Sequence, residues 1–597
     1  MKRYIITFSL LLLSLTSCSD FLDEDLKSSI EADGFFDSEA SAELVVNGVY
    51  STLTDTSDWG TYNVNLMVMN LGSFGYLNNN TDTRHTELMN YTLGIDHASV
   101  EQIYTSSYYT IQQANYAIDG VETMEYSQTG ISDTTKARLI AECKFMRALS
   151  YFNLVRLYGG VPLVTEPTTD MDERYVARSS IMAVYKQIIA DLKYASENLY
   201  YKQGSAVTPC YDVSVTGRAT RSAALGLLAK VYLTAASTAK HSDLMGSWNT
   251  LKDGINSYDW VDIGECYTLS AEYARQLISL SDSGQINVSL NSDYGYLFTP
   301  AGENSAESLF EIQFGSTSGY GGRMGCWVGL LGLTNVYSRR IMIDPELYNL
   351  YDKAYITGTS VATSSVDEAN TDARLLWNIP GYKVANSVRT VVKKWSDMTY
   401  FKYRLGEHIS TANNSPSNYV VLRYADILLG YAEALNELGY SAMAVEYLNK
   451  IRSRARNGIS CTTGMGDYWT LDLAQSNAPA DLSTSLSYDE VLAEVIAERR
   501  RELAAEGHSR FDDIRFGLYM SNGEGRKDWS DANPTAGGTV DFYQVMANTA
   551  EADREAITNP STVSTAAANV RDYQQFFPIP KRERDINPNL VQNPSWN

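Results

Sequence analysis

Long amphipathic segments with a helical repeat constrain the fold of this chain more than any other feature of its sequence. Between Ser132 and Gly159, apolar residues recur at intervals of three and four, which places them on one face of a helix. Ser132 is a candidate N-cap, and Gly160 and Pro162 prevent continuation of the segment. Comparable helical segments are predicted at 38–54, 97–122, 179–199, 218–239, 269–281, 418–438, 441–456 and 488–506. The sequence therefore predicts a mainly α-helical protein.

The segment pair within 418–456 indicates how these helices pack. Gly430 lies among alanines and leucines of the first segment, and Gly439 marks a turn before a second segment that is also rich in alanine. This pattern resembles a tetratricopeptide-type helical hairpin, and looser versions recur at 132–157 and 218–239. A strict period of about 34 residues is absent, so we expect degenerate repeats with long insertions. Separate three-helix bundles are the alternative.

Size and charge limit the classes of protein that this chain can belong to. Its 597 residues exceed the size at which one compact core usually stops growing, so an extended helical array or several domains should follow. An aromatic content of 11% supplies ample surface to bury and excludes disorder as the main state. The net charge of −23 argues against nucleic acid as a partner. It disfavours polyanionic sugars more weakly, because local arginine clusters can still bind them.

The N-terminus has the features of an export signal. Lys2 and Arg3 precede a short apolar run at 4–15, which is too short to span a bilayer comfortably. The following Leu-Thr-Ser-Cys sequence resembles a bacterial lipobox that ends at Cys18. We therefore expect residues 1–17 to be a cleaved signal peptide and Cys18 to carry lipid. No later segment approaches about 18 uncharged apolar residues, so we expect the mature body to be soluble.

Metal, redox and catalytic motifs are missing from the sequence. The five cysteines that remain after Cys18 form no C-x-x-C pair. Their odd number argues against a full set of disulfides, and one disulfide bond is the alternative. His-Glu-x-x-His, Gly-x-Ser-x-Gly and Walker-type sequences do not occur. The sequence therefore predicts no enzyme, no catalytic residue, no metal site and no cofactor, although a structural calcium ion stays open. With 71 acidic residues, an accidental glycosidase-like carboxylate pair also stays open.

Two segments near the C-terminal helices have alternative interpretations. His508 follows a predicted helix end, where an imidazole can bond to last-turn carbonyls, and we expect a structural role for it. The arginines at 499–501 lie among glutamates and predict an ion-paired helix, not a nucleic-acid patch.

Several motifs in the same order resemble the SusD/RagB family. These are the segment 498–517 (Glu-Arg-Arg-Arg-Glu-Leu to Arg-Phe-Gly), the endings 577–580 and 587–594, the helix 141–152 and the turn 158–162. The acidic residues that follow Cys18 are also similar to those of surface lipoproteins in this group. The resemblance covers nearly the whole mature chain.

The resemblance implies a fold, a location and a function. Members of this family are outer-membrane lipoproteins facing the cell exterior, which bind oligosaccharides and cover a SusC-like TonB-dependent transporter. It implies a body at 18–597, with a tetratricopeptide-like scaffold at 38–54, 97–239 and 418–517. A loop-rich lobe with little β structure would occupy 55–95 and 284–416 and form the glycan site. A tetratricopeptide-type adaptor for a protein or peptide is the main alternative, and a glycoside hydrolase is the third.

Within the lobe, the residue types that bind a neutral glycan are clustered. Such a ligand needs flat aromatic rings for its C–H faces and amide, carboxylate or arginine groups for its hydroxyls. The alternative is that each ring packs within its own loop. Which glycan, linkage and chain length would bind is not encoded in these patterns. The candidate carbohydrate-binding residues are Tyr76, Asn78, Arg84, Tyr296, Tyr320 and Trp327.

Overall fold

The computed structural model describes most of the helical segments and parts of the predicted lobe. All structural statements below concern the residues that it describes. These are 36–54, 75–77, 83–168, 175–212, 214–244, 254–315, 321–322, 341–343, 347, 350–356, 365–378, 382–385, 388–391, 416–461, 471–522 and 568–596.

Helices dominate the described chain, as predicted. They are α1 (Glu39–Leu53), α2 (Thr83–Met89), α3 (Ala98–Thr123), α4 (Tyr126–Thr129), α5 (Asp133–Tyr158), α6 (Ile181–Asn198), α7 (Arg221–Lys240), α8 (Ile263–Asp282), α9 (Ala373–Asn378), α10 (Tyr424–Glu437), α11 (Ser441–Ala455), α12 (Tyr488–Glu502), α13 (Ser509–Arg515) and α14 (Lys581–Ile586). Short 3-10 turns include Ser242–Leu244, Tyr296–Phe298, Pro300–Gly302, Glu368–Asn370 and Asp572–Gln575.

Strands are short and form small antiparallel sheets. They are β1 (Gly75–Leu77), β2 (Ser308–Ile312), β3 (Ile341–Ile343), β4 (Tyr355–Ile356), β5 (Ser365–Val366), β6 (Tyr382–Ala385), β7 (Val388–Val391), β8 (Tyr419–Arg423), β9 (Ile459–Cys461) and β10 (Leu471–Leu473). The pairs are β1–β3, β2–β8 and β9–β10, and a four-stranded sheet has the order β4-β5-β7-β6. The prediction of a helical scaffold with little β structure is confirmed.

The long helices pack mostly against their neighbours in the sequence. The contacts run from α1 to α3, then through α5, α6, α7 and α8 to α10, which packs against α11 and α12. One continuous apolar core runs through this array. Helix α5 illustrates why: Ser132 caps its first turn through Thr135 N (3.1 Å), Gly159 ends it with φ 76°, and most of its side chains are buried. The array is the extended helical architecture that the size of the chain implies.

Glycines permit the closest approach between helix α7 and its neighbours. A Cβ atom on Gly226 would lie 3.1 Å from methyl carbons of both Leu309 and Ile427, so β2 and α10 pack directly against the helix backbone. A Cβ on Gly430 of α10 would lie 3.1 Å from Leu233 of α7. These contacts explain the small residues that the sequence places in both helices.

The predicted helix at 418–438 is wrong over its first turns. Residues 419–423 form strand β8, which pairs antiparallel with β2 so that Ile312 lies opposite Tyr419. Helix α10 begins only at Tyr424. The apolar run Tyr-Val-Val-Leu is buried on both sides, so it carries no periodicity that separates a strand from a helix.

Two further helix boundaries differ from the prediction. Helix α8 begins at Ile263 instead of 269, because Asp262 caps it by accepting a hydrogen bond from Glu265 N (2.9 Å). Helix α12 ends at Glu502 instead of 506, and Ala505 and Gly507 then have φ 60° and 85°. A left-handed backbone at these positions cannot continue a helix.

Among the described helices, one has the length and apolar composition of a membrane span. It is α7, and 89% of its most apolar window is buried inside the protein. It is therefore a core helix of the array. Three described cysteines, Cys143, Cys210 and Cys266, are free thiols.

Candidate functional site

Tyr296 presents an exposed aromatic ring in a fixed position. It begins a 3-10 turn and is 42% exposed, while the following Leu297 and Phe298 are buried. Its hydroxyl donates a hydrogen bond to the carbonyl of Ala301 (2.7 Å), which ties the ring across the next turn. The side chain is therefore held in place before any ligand arrives, which reduces the entropy lost on binding.

The backbone beneath this ring is fixed from both sides. The Asp293 carboxylate accepts hydrogen bonds from Gly295 N (2.7 Å) and Ser460 N (2.9 Å), so it joins the turn to strand β9. Gly295 lies against the buried Trp377, and a Cβ there would come within 2.6 Å of the indole ring. A Cβ on Gly302 would lie 1.8 Å from the carbonyl oxygen of Tyr296, so the two 3-10 turns can close only with glycine.

A cluster of amides and carboxylates lies directly after the turn. Asn418 is its centre, because its backbone N–H donates to Glu303 (3.0 Å) and its side-chain amide donates to Glu311 (2.9 Å) and Gln313 (3.0 Å). Asn304 exchanges hydrogen bonds with Gln313 at 2.8 and 3.1 Å. We call Glu303, Asn304, Glu311, Gln313 and Asn418 the amide cluster.

Burial changes the acidity of several groups in and beside this cluster. It raises the pKa of Glu303 to about 7, and the nearby Glu311 acts in the same direction, against the Asn418 N–H. Burial also raises the pKa of Glu311. The ammonium of Lys202, which donates to the carbonyl of Ser308 (2.9 Å), has its pKa lowered by burial to about 8. Burial therefore makes both carboxyl groups of the cluster weaker acids than they are in water.

The two glycines that follow Tyr320 in the Gly-rich motif reach the amide cluster. Gly321 and Gly322 are buried, and a Cβ on Gly322 would lie 2.9 Å from the ring of Phe314. Phe314 in turn donates its N–H to the Asn418 side chain (2.9 Å). The structure thus brings Glu303, which follows the Tyr296 loop, and the glycines next to Tyr320 to the end of the β2–β8 pair at Ile312 and Tyr419.

The other predicted site residues lie on other elements or outside the described residues. Tyr76 is in β1, opposite Met342 of β3, and its strand contacts α2. Arg84 lies in the first turn of α2, where its carbonyl is 2.9 Å from Nε2 of His97. Asn78, Tyr320, Trp327 and the lipidation residue Cys18 lie outside the described residues.

Two other aromatic residues of the predicted lobe belong to the core. Tyr294 is 2% exposed and its hydroxyl lies within hydrogen-bonding distance of Asn378 Oδ1 (3.1 Å) and the Glu502 carbonyl (3.0 Å). Trp377 is fully buried in α9. For these rings, packing within the protein is the correct interpretation, and they support the turn that exposes Tyr296.

The arginine-rich segment is ion-paired, as predicted, but it is buried instead of forming a helix surface. Glu502 binds three arginines from different elements, Arg374, Arg423 and Arg454. His508 does not bond to the end of α12; its Nδ1 lies 3.0 Å from Nζ of Lys230. These groups stabilise the interior and are not available to an external ligand.

The described residues offer no cluster of three or more His, Cys, Asp or Glu side chains that could hold a metal ion. A small polar cavity of about 20 Å³ borders the amide cluster at Asn304 and Glu311, with Lys202 and Arg218 on its other side. It has room for about one water molecule. The cavity is therefore too small for a sugar.

The amide cluster is not among the site residues predicted from the sequence. Asn418 falls within a segment predicted to be the start of a helix, and Glu303 and Gln313 lie in a region without periodicity. The available signal was the polar Pro-Ser-Asn sequence at 416–418, placed directly before an apolar run of strand formers.

Comparisons with known proteins agree with this architecture. The SusD family model matches residues 342–596, and a second model, described as starch-binding associating with outer membrane, matches 20–233. SusD-like protein P2 of Formosa agariphila is 28% identical over 540 residues, covering 87% of this chain and 91% of that protein. SusD-like protein P25 of the same organism is 25% identical and covers 99% and 98%.

Solved structures share the fold along the whole chain. A crystal structure of a SusD homolog from Bacteroides thetaiotaomicron aligns with a TM-score of 0.68 at 24% identity, covering 95% of this chain and 99% of that one. A laminarin-binding SusD-like protein aligns with a TM-score of 0.60 at 21% identity, covering 94% and 99%. Together, the two family models match both the N-terminal and the C-terminal parts of the chain, which belongs to the SusD/RagB family.

Proposed function

We propose that this protein is a cell-surface lipoprotein that captures oligosaccharides without cleaving them. It delivers them to a SusC-like TonB-dependent transporter. The observation that carries the proposal is the exposed, internally bonded ring of Tyr296 beside the amide cluster. A flat ring matches the apolar face of a sugar, and the half-buried Glu303, Asn304 and Gln313 of the cluster can meet its hydroxyls.

Membership of the SusD/RagB family supports a glycan as the ligand. One matching family model is described as starch-binding, and one structural relative binds laminarin. Both of these ligands are neutral glucans. Tyr76, Asn78, Arg84, Tyr320 and Trp327 complete the proposed surface together with Tyr296.

The expected affinity suits capture followed by release. If sugar stacking resembles base stacking, each aromatic ring contributes roughly 1–3 kcal/mol. Three rings then contribute about 3–9 kcal/mol before the cost of association is subtracted. Dissociation constants in the micromolar to millimolar range follow, so a bound sugar can leave for the transporter.

The carboxylates of the amide cluster have structural partners. Glu311 accepts through both oxygens, from Asn304 N (2.9 Å) and Asn418 Nδ2. Among the described residues, Glu303 accepts from the Asn418 N–H through Oε1 alone. A general acid or nucleophile needs a free oxygen directed at the substrate. This bonding removes Glu311 from catalysis, and the assay for reducing ends decides for Glu303.

Lipid attachment at Cys18 places the protein at the outer membrane, facing the cell exterior. The description of the N-terminal family model, associating with outer membrane, supports this location. A diacylated and N-acylated cysteine gives the several acyl chains that stable anchoring needs. The helical array then serves as the scaffold that contacts the transporter.

The experiment is affinity electrophoresis of the mature chain in gels that contain neutral or acidic polysaccharides, with a parallel assay for reducing ends. We expect at least one neutral polysaccharide, such as laminarin or starch, to retard the protein without release of reducing ends. Release of reducing ends would instead indicate a glycoside hydrolase. Absence of retardation by every polysaccharide would contradict the proposal.

A protein- or peptide-binding adaptor is the second candidate. It is favoured by Tyr440 and Met443, which are 57% and 43% exposed at the turn between α10 and α11. In a tetratricopeptide-type array, such a turn can contact a protein partner. Under this alternative, substitution of Tyr440 would weaken binding of the protein or peptide partner. No polysaccharide would retard the wild type.

A further inference from the structure

We infer that Asn418 is a positioning residue that holds two parts of the proposed glycan surface in one fixed arrangement. The two parts are the Tyr296 turn and the Gly321–Gly322 segment next to Tyr320. This inference rests on the proposed function, because only that function makes the two parts a single binding surface. The connection itself is a property of the fold.

The backbone and side chain of Asn418 bond to different loops. The backbone N–H donates to Glu303 (3.0 Å), the residue that directly follows the second 3-10 turn of the Tyr296 loop. The side-chain oxygen accepts the N–H of Phe314 (2.9 Å), whose ring packs against Gly322. One residue therefore connects two loops that are about twenty residues apart in the sequence.

The remaining polar atoms of Asn418 lock this connection. Both bonds of its amide nitrogen go to the amide cluster, to Glu311 (2.9 Å) and Gln313 (3.0 Å). The residue is 4% exposed, so water cannot replace these bonds easily. An aspartate at this position would lose both donors and place a third carboxylate beside Glu303 and Glu311.

Alignment of two weak contact sites changes affinity in a way that depends on ligand length. A long oligosaccharide gains from both sites only when their spacing is fixed, because the second contact is then intramolecular. A short one uses a single site and gains nothing from the spacing. If Asn418 positions the two sites, its substitution should therefore reduce the affinity for long oligosaccharides only.

The first test measures amide hydrogen exchange of the full mature chain in wild type and Asn418→Asp, without ligand. N418D keeps the backbone bond to Glu303 and the acceptor for the Phe314 N–H. It loses both donors to Glu311 and Gln313, which also hold Asn304, and it places a carboxylate beside Glu303. Because these bonds are buried, we expect exchange to accelerate by about tenfold or more in both 293–304 and 313–322. Acceleration in only one segment, or in neither, would overturn the inference. If N418D does not fold, Asn418→Ser replaces it, with the same expected and contradicting results.

A matched control is Asn449→Asp. Asn449 also bonds through its side chain to a distant loop, donating to the Leu482 carbonyl (3.0 Å) and accepting from Leu482 N (2.8 Å). We expect N449D to accelerate exchange near 482 and to leave both loops of the proposed surface unchanged. A general destabilisation would instead affect the two variants alike, and it would count against a positioning role.

The second test uses fragments, from disaccharide to octasaccharide, of the polysaccharide that retards the wild type. For N418D we expect a loss of at least fivefold for the long fragments and less than twofold for the disaccharide. An equal loss at every length would overturn the alignment of two sites. If the wild type binds no polysaccharide, the proposed function fails, and the exchange experiment still decides whether Asn418 connects the two loops.

Discussion

The ring and the hydroxyl of Tyr296 have separable roles. The ring supplies a flat surface, and the hydroxyl bond to Ala301 fixes its orientation. Tyr296→Ala should reduce glycan affinity by roughly 1–3 kcal/mol, about 5- to 150-fold, because it removes one stacking surface. Tyr296→Phe should reduce the affinity less, because it keeps the ring and loses only the hydroxyl bond that fixes the ring's orientation. Isothermal titration measures both changes.

A suitable control for these variants is Tyr126→Ala. Tyr126 is 71% exposed on the short helix α4, so its removal deletes a ring of the same type. Affinity should not change in Y126A, and the melting temperature should stay nearly constant in all three variants. A large drop in melting temperature for Y296A would show that the ring mainly packs its own loop.

His508 gives the fold a dependence on pH that can be assigned to one residue. Burial lowers its pKa to about 3, and the Lys230 ammonium 3.0 Å from Nδ1 acts in the same direction. The unfolded chain therefore binds a proton near pH 6.5 that the folded chain does not bind. The contribution of the neutral His508 to the free energy of unfolding is therefore complete above pH 6.5 and is lost as the pH falls toward 3.

This contribution can be measured with His508→Gln. The stability difference between wild type and H508Q should shrink by about 1.4 kcal/mol per pH unit below 6.5. Denaturant unfolding between pH 7.5 and 5 gives this difference. The raised pKa of Glu303 has the opposite effect, because it stabilises the folded state as the pH falls. Subtracting the unfolding free energy of H508Q from that of the wild type removes this effect. A constant difference across this range would contradict the assignment.

At single residues, the sequence predicts which residue types line the proposed site better than it predicts which of them are exposed. Tyr294 and Tyr296 are two positions apart in the same Gly-rich sequence, yet one is buried and the other is 42% exposed. Gly295 between them lies against Trp377, and the neighbouring Asp293 accepts from Ser460 N, and both partners are distant in the sequence. Local patterns carry no information about such contacts.

At the scale of the elements, close helix packing makes a direct prediction. A Cβ atom added to Gly48 of α1 would meet no atom within 4 Å, whereas one added to Gly226 of α7 would meet three methyl groups at 3.1–3.2 Å. Gly48→Ala should stabilise the protein by about 0.5–1 kcal/mol, because alanine favours a helix. Gly226→Ala should give no such gain, and Gly226→Val should destabilise by about 1–3 kcal/mol.

Denaturant unfolding of the three glycine variants tests this packing. Equal stabilisation by alanine at 48 and 226 would show that α7 does not approach its neighbours as closely as the structure indicates. A stable G226V protein would lead to the same conclusion.

The sequence predicted most helices of the array because their periodicity and caps are local signals. Ser132, for example, marks the start of α5 in the sequence and in the structure. Strand β8 was missed because its apolar run continues directly into α10. What separates the two elements is the pairing of β8 with β2, more than one hundred residues earlier. The amide cluster depends on that pairing and was missed with it.

At the scale of the whole molecule, buried charges join the helical array to the lobe. Arg374 of α9 binds Asp372 (2.7 Å), Glu498 (2.6 Å) and Glu502 (2.9 Å), and all four side chains are fully buried. Burial alone would raise the pKa of Glu498, but Arg374 and two other arginines lower it to about 2. Glu498 is therefore ionised and depends on its arginine partners, whereas burial raises the pKa of Asp372 against the attraction of Arg374.

Removal of this arginine should destabilise the fold strongly. Arg374→Met leaves buried carboxylates without one of their partners, which costs about 3–5 kcal/mol. The exposed pair of Lys581 and Asp585 gives the control, since Lys581→Met should change stability by less than about 0.5 kcal/mol. Urea unfolding measures both, and similar small effects would contradict the role of the buried network.

A crystal structure of the mature protein with an oligosaccharide from the polysaccharide that it binds would show whether Tyr296 is a binding residue. We expect a sugar ring stacked on the exposed face of Tyr296, in the loop that ends at Glu303. The glycosidic bonds should be intact. A sugar bound elsewhere, with the Tyr296 ring uncovered, would contradict this role of Tyr296.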